Sequence, residues 1–208
     1  LLVETNNEVV RINTGEELQE ALESAYSSSG INNTSVLCRS NKRANLYNQQ
    51  IRTKIRWQEN EISAGDMLMV VRNNYYWLDE NSKAGFIANG DIVQVTKIKE
   101  TIDRYGFRFA RASVKMVDYA EEEEMELILL LDTLTSQTPT ISYESYQNFY
   151  KEISKDYKGE KEINKKIKEN EFFNALQIKF AYAITCHKSQ GGQWENVFID
   201  MGYFTKEM

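Results

Sequence analysis

An apolar run that ends abruptly in a polar turn is the feature that most constrains the fold of this chain. Residues 180–186, FAYAITC, form the run, and the chain then switches at once to HKSQGG. A short apolar run bounded by turn residues is typical of a buried strand. In an open α/β sheet, the residues that follow such a strand project into the crevice where ligands bind. The sequence therefore predicts an α/β sheet with a candidate site in this turn.

The first quarter of the chain also favours an α/β layer. Thr14 precedes GEELQEALESAY, and Glu17 lies three residues after it, which is the spacing of a helix-capping box. SVLC at 35–38 is a short apolar run, and the residues after it have helical spacing at Ala44, Tyr47, Ile51 and Ile55. We expect helix, loop, strand and helix over residues 8–57.

Residues 61–134 change to short β-type runs, namely DMLMVVRNNYYWL, NGDIVQVTKI, FRFARASVKMV and MELILLLDTL. Gly65, Gly90 and Gly106 punctuate these runs, and Asn-Gly is a strong turn signal. Several short strands this close together predict a small all-β barrel.

Residues 142–171 favour helix, and the remainder of the chain favours strands. An aromatic stripe recurs at three- and four-residue steps, and we interpret it as core packing; its members are Tyr143, Tyr146, Phe149, Tyr150, Ile153 and Tyr157. ALQIKFAYAITC at 175–186 is predicted as one strand, and NVFID at 196–200 as one more buried strand. The chain thus predicts an α/β domain interrupted by a β module and a helical segment.

Composition excludes several classes of protein. No apolar run approaches the roughly 18 residues that span a bilayer, and no signal peptide is visible, so we expect a cytoplasmic protein without a membrane partner. One histidine and two cysteines leave no zinc cluster, and the cysteines are expected to be reduced and buried. The first residue is leucine, which suggests a fragment of a longer protein.

A complete catalytic apparatus is not visible in the sequence. The nearest string to a phosphate-binding loop is GFIANGDI, where Asp91 stands in the place of the lysine and would repel a phosphate. The net charge of −6 argues against an extended nucleic-acid surface, although basic residues cluster between Arg39 and Arg56. On residue chemistry alone, the turn after residue 186 is either an anion or nucleotide contact or a plain polar turn.

The stretch YAITCHKSQGGQWENVF resembles motif V of superfamily 1 DNA helicases of the RecD-like and Dda-like branch. The matching residues are Ala183, Thr185, His187, Lys188, Gln190, Gly191, Trp194 and Val197. SVLCRSNKRANLYNQQIR resembles motif IV of the same family, and SAGDMLMVVRNNYYWL resembles the start of its inserted SH3-like barrel. The three stretches follow the order of the family.

The resemblance implies a partial RecA-like parallel sheet domain, of the P-loop NTPase type, interrupted by an SH3-like barrel and a helical segment. The expected segments are 1–58 with motif IV, 59–135 as the barrel, 136–171 as the helical segment, and 172–208 with motif V.

The resemblance also implies a function. The chain would be the C-terminal fragment of an ATP-dependent DNA helicase that couples ATP hydrolysis to translocation on single-stranded DNA and to duplex unwinding, in DNA repair or recombination. Expected partners are single-stranded or duplex DNA, the N-terminal RecA-like domain of the same protein and, by likeness to the α subunit of exodeoxyribonuclease V, a nuclease subunit. ATP and Mg²⁺ are expected in the intact protein, and neither is expected bound to this chain alone. The alternative is a non-catalytic module that binds nucleic acid or protein.

Site residues follow from the matched motifs. Candidates for contact with the DNA backbone are Thr185, His187 and Ser189, and the barrel aromatics that could stack on bases are Tyr75, Tyr76 and Trp77. Candidates for coupling the nucleotide to DNA are Lys188, Gln190, Gly191 and Gln193, where Gln193 takes the place of a glutamate found in many relatives. Arg39 and Arg43 both qualify as the motif IV arginine that faces the γ-phosphate, and no metal ligands are expected.

Overall fold

The computed structural model describes residues 9–78, 82–119 and 121–202. The ends of the first and last predicted segments, residues 1–8 and 203–208, lie outside the described residues. The chain begins with α1 (Gly15–Ser28), β1 (Thr34–Cys38) and α2 (Asn41–Gln50), and α2 continues as one π-helical turn over Ile51–Ile55.

The predicted capping box at the start of α1 is confirmed. The Thr14 hydroxyl accepts a hydrogen bond from the Glu17 backbone N–H at 3.1 Å, and the Glu17 carboxylate accepts one from the Thr14 N–H at 3.3 Å. These two bonds satisfy N–H groups that the helix itself leaves unpaired.

Three parallel strands form the α/β sheet, in the order β7 (Ala183–Thr185), β1 and β8 (Asn196–Ile199). Val36 of β1 pairs with Ala183 on one side and with Phe198 on the other. Leu22 of α1 and Ala44 of α2 are buried in the same apolar cluster as Val36 and Cys38 of β1. Parallel pairing places the carboxyl ends of all three strands at one edge.

Five strands close into a barrel, as the sequence predicts for this part of the chain. They are β2 (Met67–Val70), β3 (Ile92–Arg104), β4 (Phe107–Met116), β5 (Met125–Leu130) and β6 (Leu176–Phe180). Neighbouring strands are antiparallel except for β5 and β6, which are parallel. The interior is apolar and buried, with side chains such as Leu68, Val93, Val114 and Leu129.

The single strand predicted over 175–186 is wrong, because the structure divides it between two sheets. Phe180 pairs with Leu68 in the barrel, whereas Ala183 pairs with Val36 in the α/β sheet. Residues 181 and 182 carry the chain from one sheet to the other. A continuous apolar run carries no signal of a change of pairing partner, so the sequence pattern could not reveal the division. The fifth barrel strand therefore lies well beyond residue 135.

A buried ionic network joins the barrel to the α/β sheet. The Arg52 guanidinium donates to both carboxylate oxygens of Asp66, at 3.0 and 2.9 Å, and stacks over the Phe180 ring at 4.3 Å. The Tyr182 hydroxyl donates to the same carboxylate at 2.7 Å. Because Arg52 belongs to the π-helical turn and Tyr182 lies between β6 and β7, this network fixes the point where the chain changes sheets.

The helical segment packs against the outside of the barrel through α3 (Asp132–Thr135), α4 (Tyr143–Ser154) and α5 (Ile163–Lys168). Phe149 and Ile153 of the aromatic stripe are buried in a second apolar cluster with Phe109 and Phe172. Core packing is thus confirmed for these two residues. Tyr143, by contrast, is 77% exposed.

The last strand is not buried as the sequence predicts. Val197 is 43% exposed and Ile199 is 64% exposed, so the face of β8 that these two residues share is open to solvent. Among the described residues β8 pairs only with β1 and forms an edge of the sheet. Within the described part of the chain, no helix combines the length and the apolar character needed to cross a membrane.

Candidate functional site

Three strand ends meet at the carboxyl edge of the α/β sheet. The Cys186 N–H donates to the Cys38 carbonyl and the Asp200 N–H donates to the Leu37 carbonyl, both at 2.9 Å. The residues that leave the strands, Arg39 after β1, the turn after β7, and Asp200 after β8, are thereby brought to one edge. The sequence patterns predicted the first two of these positions but did not indicate Asp200.

The turn after β7, residues 186–193, is a compact series of hydrogen-bonded bends. The backbone N–H groups of Lys188 and Ser189 donate to the Thr185 carbonyl at 2.8 and 3.2 Å. The Ser189 hydroxyl donates to the Cys186 carbonyl at 2.9 Å, and Gly191 has a φ of +85°, a conformation that favours glycine. Backbone bonds and the Ser189 hydroxyl therefore hold the turn in shape.

The predicted contact residues of this turn are mostly open to solvent. His187, Gln190, Gly191 and Gln193 are exposed, whereas Thr185, Lys188 and Ser189 are half-buried; all of them lie at the sheet edge or in the turn that extends from it. A polar turn that presents imidazole, hydroxyl and amide groups to solvent can bind an anion without large rearrangement.

Lys188 has a partner in the barrel. Its ammonium donates to the Asn89 side-chain oxygen, in the turn that precedes β3. Burial lowers the pKa of Lys188 below its ordinary value. This contact connects the turn at the sheet edge to the barrel, and sequence spacing could not have found it because the two residues lie 99 positions apart.

The two candidate arginines differ in their surroundings. Arg43, in the first turn of α2, donates through Nε to the Asp200 carboxylate at 2.7 Å and through a second guanidinium nitrogen to the same oxygen. Hydrogen bonding to Asp200 raises the pKa of Arg43. Arg39 directly follows β1 and its side chain is exposed at the same edge. Asp200, at the end of β8, could have been found from the same rule that selected the turn after β7.

Within the described residues, no group of three or more histidine, cysteine or acidic side chains lies close enough together to hold a metal ion. Asp200, the carboxylate at the sheet edge, is already bound to Arg43. The edge offers cations and amides instead, and these groups suit the phosphates of a nucleotide.

The environments of the three barrel aromatics differ. Tyr75 is 71% exposed and stacks on Phe86 at 4.8 Å, and Tyr76 is exposed to a lesser degree. Trp77 is half-buried, donates its indole N–H to the Asn174 carbonyl at 2.7 Å, and contacts both apolar clusters. The structure therefore gives Trp77 a packing role.

The two cysteines also differ, and one prediction about them is wrong. Cys38 is buried, and burial raises the pKa of its thiol to about 12. Cys186 was expected to be buried but is exposed, because β7 ends at Thr185 and Cys186 belongs to the turn. Both thiols are free.

Residues 180–208 match the family model of the UvrD-like helicase C-terminal domain. The matched segment contains β7, the turn at the sheet edge and β8, so the match falls on the candidate site itself. It supports a relation to superfamily 1 helicases and indicates a helicase-type function. No curated protein matches the chain.

Proposed function

We propose that this chain is the C-terminal part of an ATP-dependent DNA helicase of the RecD-like and Dda-like branch. The observation that carries the proposal is the position of the turn 186–193. It lies inside the segment that matches the helicase model, beside Arg39 at the sheet edge, and it contacts the barrel through Lys188. A segment in this position can respond to a nucleotide on one side and to DNA on the other.

The DNA contacts in this proposal are phosphate contacts. Thr185, His187 and Ser189 supply hydroxyl and imidazole groups at the turn, and such groups fix the position of a nucleic-acid backbone without reading its sequence. This suits a protein that must move along DNA of any sequence.

Arg39 and Arg43 supply the positive charge for the nucleotide in this proposal. Arg39 is the first residue after β1 and is our preferred γ-phosphate contact, while Arg43 holds the end of β8 through Asp200. ATP would supply the phosphoryl group that is transferred to water, and an arginine at this edge would stabilise the charge that develops on it. Gln193 can bond a ribose hydroxyl through its amide. The Mg²⁺ ligands would come from the other RecA-like domain.

Coupling between the two ligands rests on Lys188, Gln190 and Gly191. If nucleotide binding changes the conformation of the turn, the contact between Lys188 and Asn89 would transmit that change to the barrel. The two ligands are coupled if the turn has two arrangements that each ligand stabilises differently. Translocation on single-stranded DNA and unwinding follow if ATP binding and hydrolysis alternate these arrangements.

The proposal extends to the setting of the protein. Its partners would be DNA and an N-terminal RecA-like domain of the same protein, with a nuclease subunit if it acts in an exodeoxyribonuclease complex. The protein would act in the cytoplasm, in DNA repair or recombination.

The test is DNA-stimulated ATP hydrolysis by the protein that joins this chain to its N-terminal RecA-like domain. We expect the double variant Lys188→Ala with Gln190→Ala to lose at least about tenfold of the stimulation by single-stranded DNA, together with unwinding, since coupling energies of allosteric sites span about 5- to 150-fold. Lys115→Ala, an exposed lysine on β4, is the matched control and should behave as the wild type. Full stimulation and unwinding in the double variant would refute the coupling role. Salt-dependent DNA binding without any ATP hydrolysis by the wild type would instead favour the non-catalytic binding module.

A further inference from the structure

A groove of about 740 Å³ lies between the barrel and the helical segment. One wall is the stretch 71–76, which follows β2, together with Asn89. The opposite wall includes Tyr146 of α4, Lys168 at the end of α5, and residues 173–175. The groove is distinct from the sheet edge, and its second wall belongs to a segment to which the proposed function assigns no role.

Aromatic rings line both walls, and neighbouring groups hold them in place. Tyr75 is exposed on one face while Phe86 supports the other. Tyr76 meets the Trp77 ring edge to face at 4.9 Å, and its hydroxyl donates to the Glu169 carbonyl at 3.0 Å. Rings that are fixed in this way cost little conformational entropy when a flat ligand stacks on them.

Tyr146 is fixed on the opposite wall in the same manner. The Arg72 guanidinium lies over its ring, 5.2 Å from the centroid, and Phe173 packs beside it at 5.5 Å. Arg72 thus brings a cation to the middle of the aromatic surface, and a guanidinium can itself stack on a base.

The charge of the groove contrasts with that of the whole chain. The net charge of the chain is −6, yet the residues that line the groove include Arg72 and Lys168 and, within the described parts of the chain, no carboxylate. Two acids lie near its rim. Glu171 is held by Arg111 through bonds of 3.0 and 2.7 Å, and Glu169 is exposed to solvent. The lining is therefore locally cationic, as a site for phosphates requires.

A chain of hydrogen bonds connects the groove to the turn at the sheet edge. Lys188 of the turn donates to the Asn89 side chain, and the Asn89 N–H donates to the Asn73 side-chain oxygen at 2.8 Å. The Asn73 amide then donates to the Tyr75 hydroxyl at 3.1 Å. The groove and the turn are therefore neighbouring parts of one surface.

We propose that this groove binds single-stranded DNA, whose bases stack on Tyr75 and Tyr76 and whose phosphates contact Lys168 and the Arg72 guanidinium that lies over Tyr146. The inference rests on the proposed function and adds the helical segment to it as the second wall of the DNA path. Sites for single-stranded nucleic acid usually combine aromatic side chains, on which bases stack, with cations that contact the backbone. Only bases that are not paired in a duplex can stack on the rings in this way. The site would tolerate any sequence, because every base has a face that can stack.

The test measures the affinity of the 208-residue chain for fluorescently labelled oligothymidylate at several salt concentrations. Tyr75→Ala should weaken binding about fivefold or more, as expected for the loss of one stacked base. Tyr143→Ala removes an exposed tyrosine of α4 that lies outside the groove and should leave the affinity unchanged.

A second pair of variants tests the phosphate contact. Lys168→Gln should reduce the slope of log affinity against log salt by about 0.7, the value for one phosphate contact on a single strand. Lys165→Gln makes the same change of charge on the same helix but outside the groove, and it should leave the slope unchanged. Thermal unfolding of each variant confirms that the fold is retained.

The outcomes separate the groove from the proposed function. If Lys188→Ala weakens binding while Tyr75→Ala and Lys168→Gln match their controls, the groove inference is overturned and the proposed function stands. If the wild type binds duplex as tightly as single strands, and Tyr75→Ala changes neither, the ligand class is wrong. If the wild-type chain shows no salt-dependent binding to DNA at all, the groove inference is overturned, and ATP hydrolysis by the joined protein decides the proposed function separately.

Discussion

The barrel and the three-stranded sheet both consist of apolar strands, but the barrel is closed and the sheet is open. The barrel closes on itself, so its strands present apolar side chains such as Leu127 and Leu129 to an interior without solvent. The sheet stays open, and its last strand exposes Val197 and Ile199. Closure removes the free edges of a sheet, whereas an open parallel sheet is normally covered on both faces.

Because of this difference, the barrel contributes most of the stability, and the edge of the sheet carries the groups that can bind ligands. The barrel supplies a large buried core, and the sheet edge supplies a turn with few buried contacts and polar side chains in solvent. Regions of low local stability are the ones that can change arrangement when ligands bind. We therefore expect the barrel and its junction with the sheet to resist unfolding, and residues 186–193 to change arrangement when ligands bind.

The largest expected effect is at the junction between the two regions. Asp66→Ala removes the carboxylate that binds Arg52 and Tyr182, and leaves a buried guanidinium without its counterion. The free energy of unfolding should fall by about 3–5 kcal/mol, as for other buried pairs that lose one partner. Urea denaturation measures the loss. Glu152→Ala, which removes an exposed helical pair with Lys155, is the control and should change little; equal losses in the two variants would mean that the junction is not a stabilising element.

Two truncations of similar size compare the packing of the barrel with that of the sheet. Leu129→Ala in the barrel should lower the free energy of unfolding by about 2–5 kcal/mol, because Leu129 is fully buried. Ile199→Ala in the exposed edge strand should change it by no more than about 0.5 kcal/mol. Chemical denaturation under one set of conditions compares them. A cost at Ile199 as large as that at Leu129 would show that the sheet is as well packed as the barrel.

A pH-dependent effect is expected from Lys179, a buried lysine on β6 whose ammonium donates to the Ser136 carbonyl. Burial lowers its pKa from 10.5 to about 8. Between these values the unfolded chain binds more protons than the folded chain, so stability should rise with pH across this window. The full penalty, on the order of 3 kcal/mol at most, applies below pH 8.

Lys179→Met provides the reference for this effect, since it retains the length of the side chain without the charge. The stability of the wild type relative to this variant should increase from pH 8 to pH 10.5 in denaturation experiments. A constant difference across the window would mean that Lys179 remains solvated in the folded protein.

Local signals predicted much of this fold. The capping box at Thr14, the strand at 35–38 and the barrel strands follow from spacing and turn residues, which act over a few positions. The division of 175–186 between two sheets depends instead on pairing with Leu68 and Val36, more than 100 positions away in the chain. A local sequence pattern carries no information on long-range pairing. It therefore could not predict that the chain changes sheets or that Cys186 is exposed.

The candidate site was predictable to a similar degree. The rule that strand ends carry ligands selected the turn after β7, and the resemblance to helicase motifs suggested roles for its residues. Neither could show that Asp200 binds Arg43, that Lys188 reaches Asn89, or that Trp77 packs while Tyr75 is exposed. These features depend on which strands and helices lie side by side.

His187 allows contact between DNA and the turn 186–193 to be tested at one position. It is the only histidine in the chain, so its ring signals in an NMR spectrum identify the turn at the sheet edge without further assignment. On titration with single-stranded oligothymidylate at low salt, the account predicts that these signals shift or broaden and return towards their free positions as salt is added. If the signals stay unchanged while the oligonucleotide is bound, DNA does not contact this turn, and the account is contradicted.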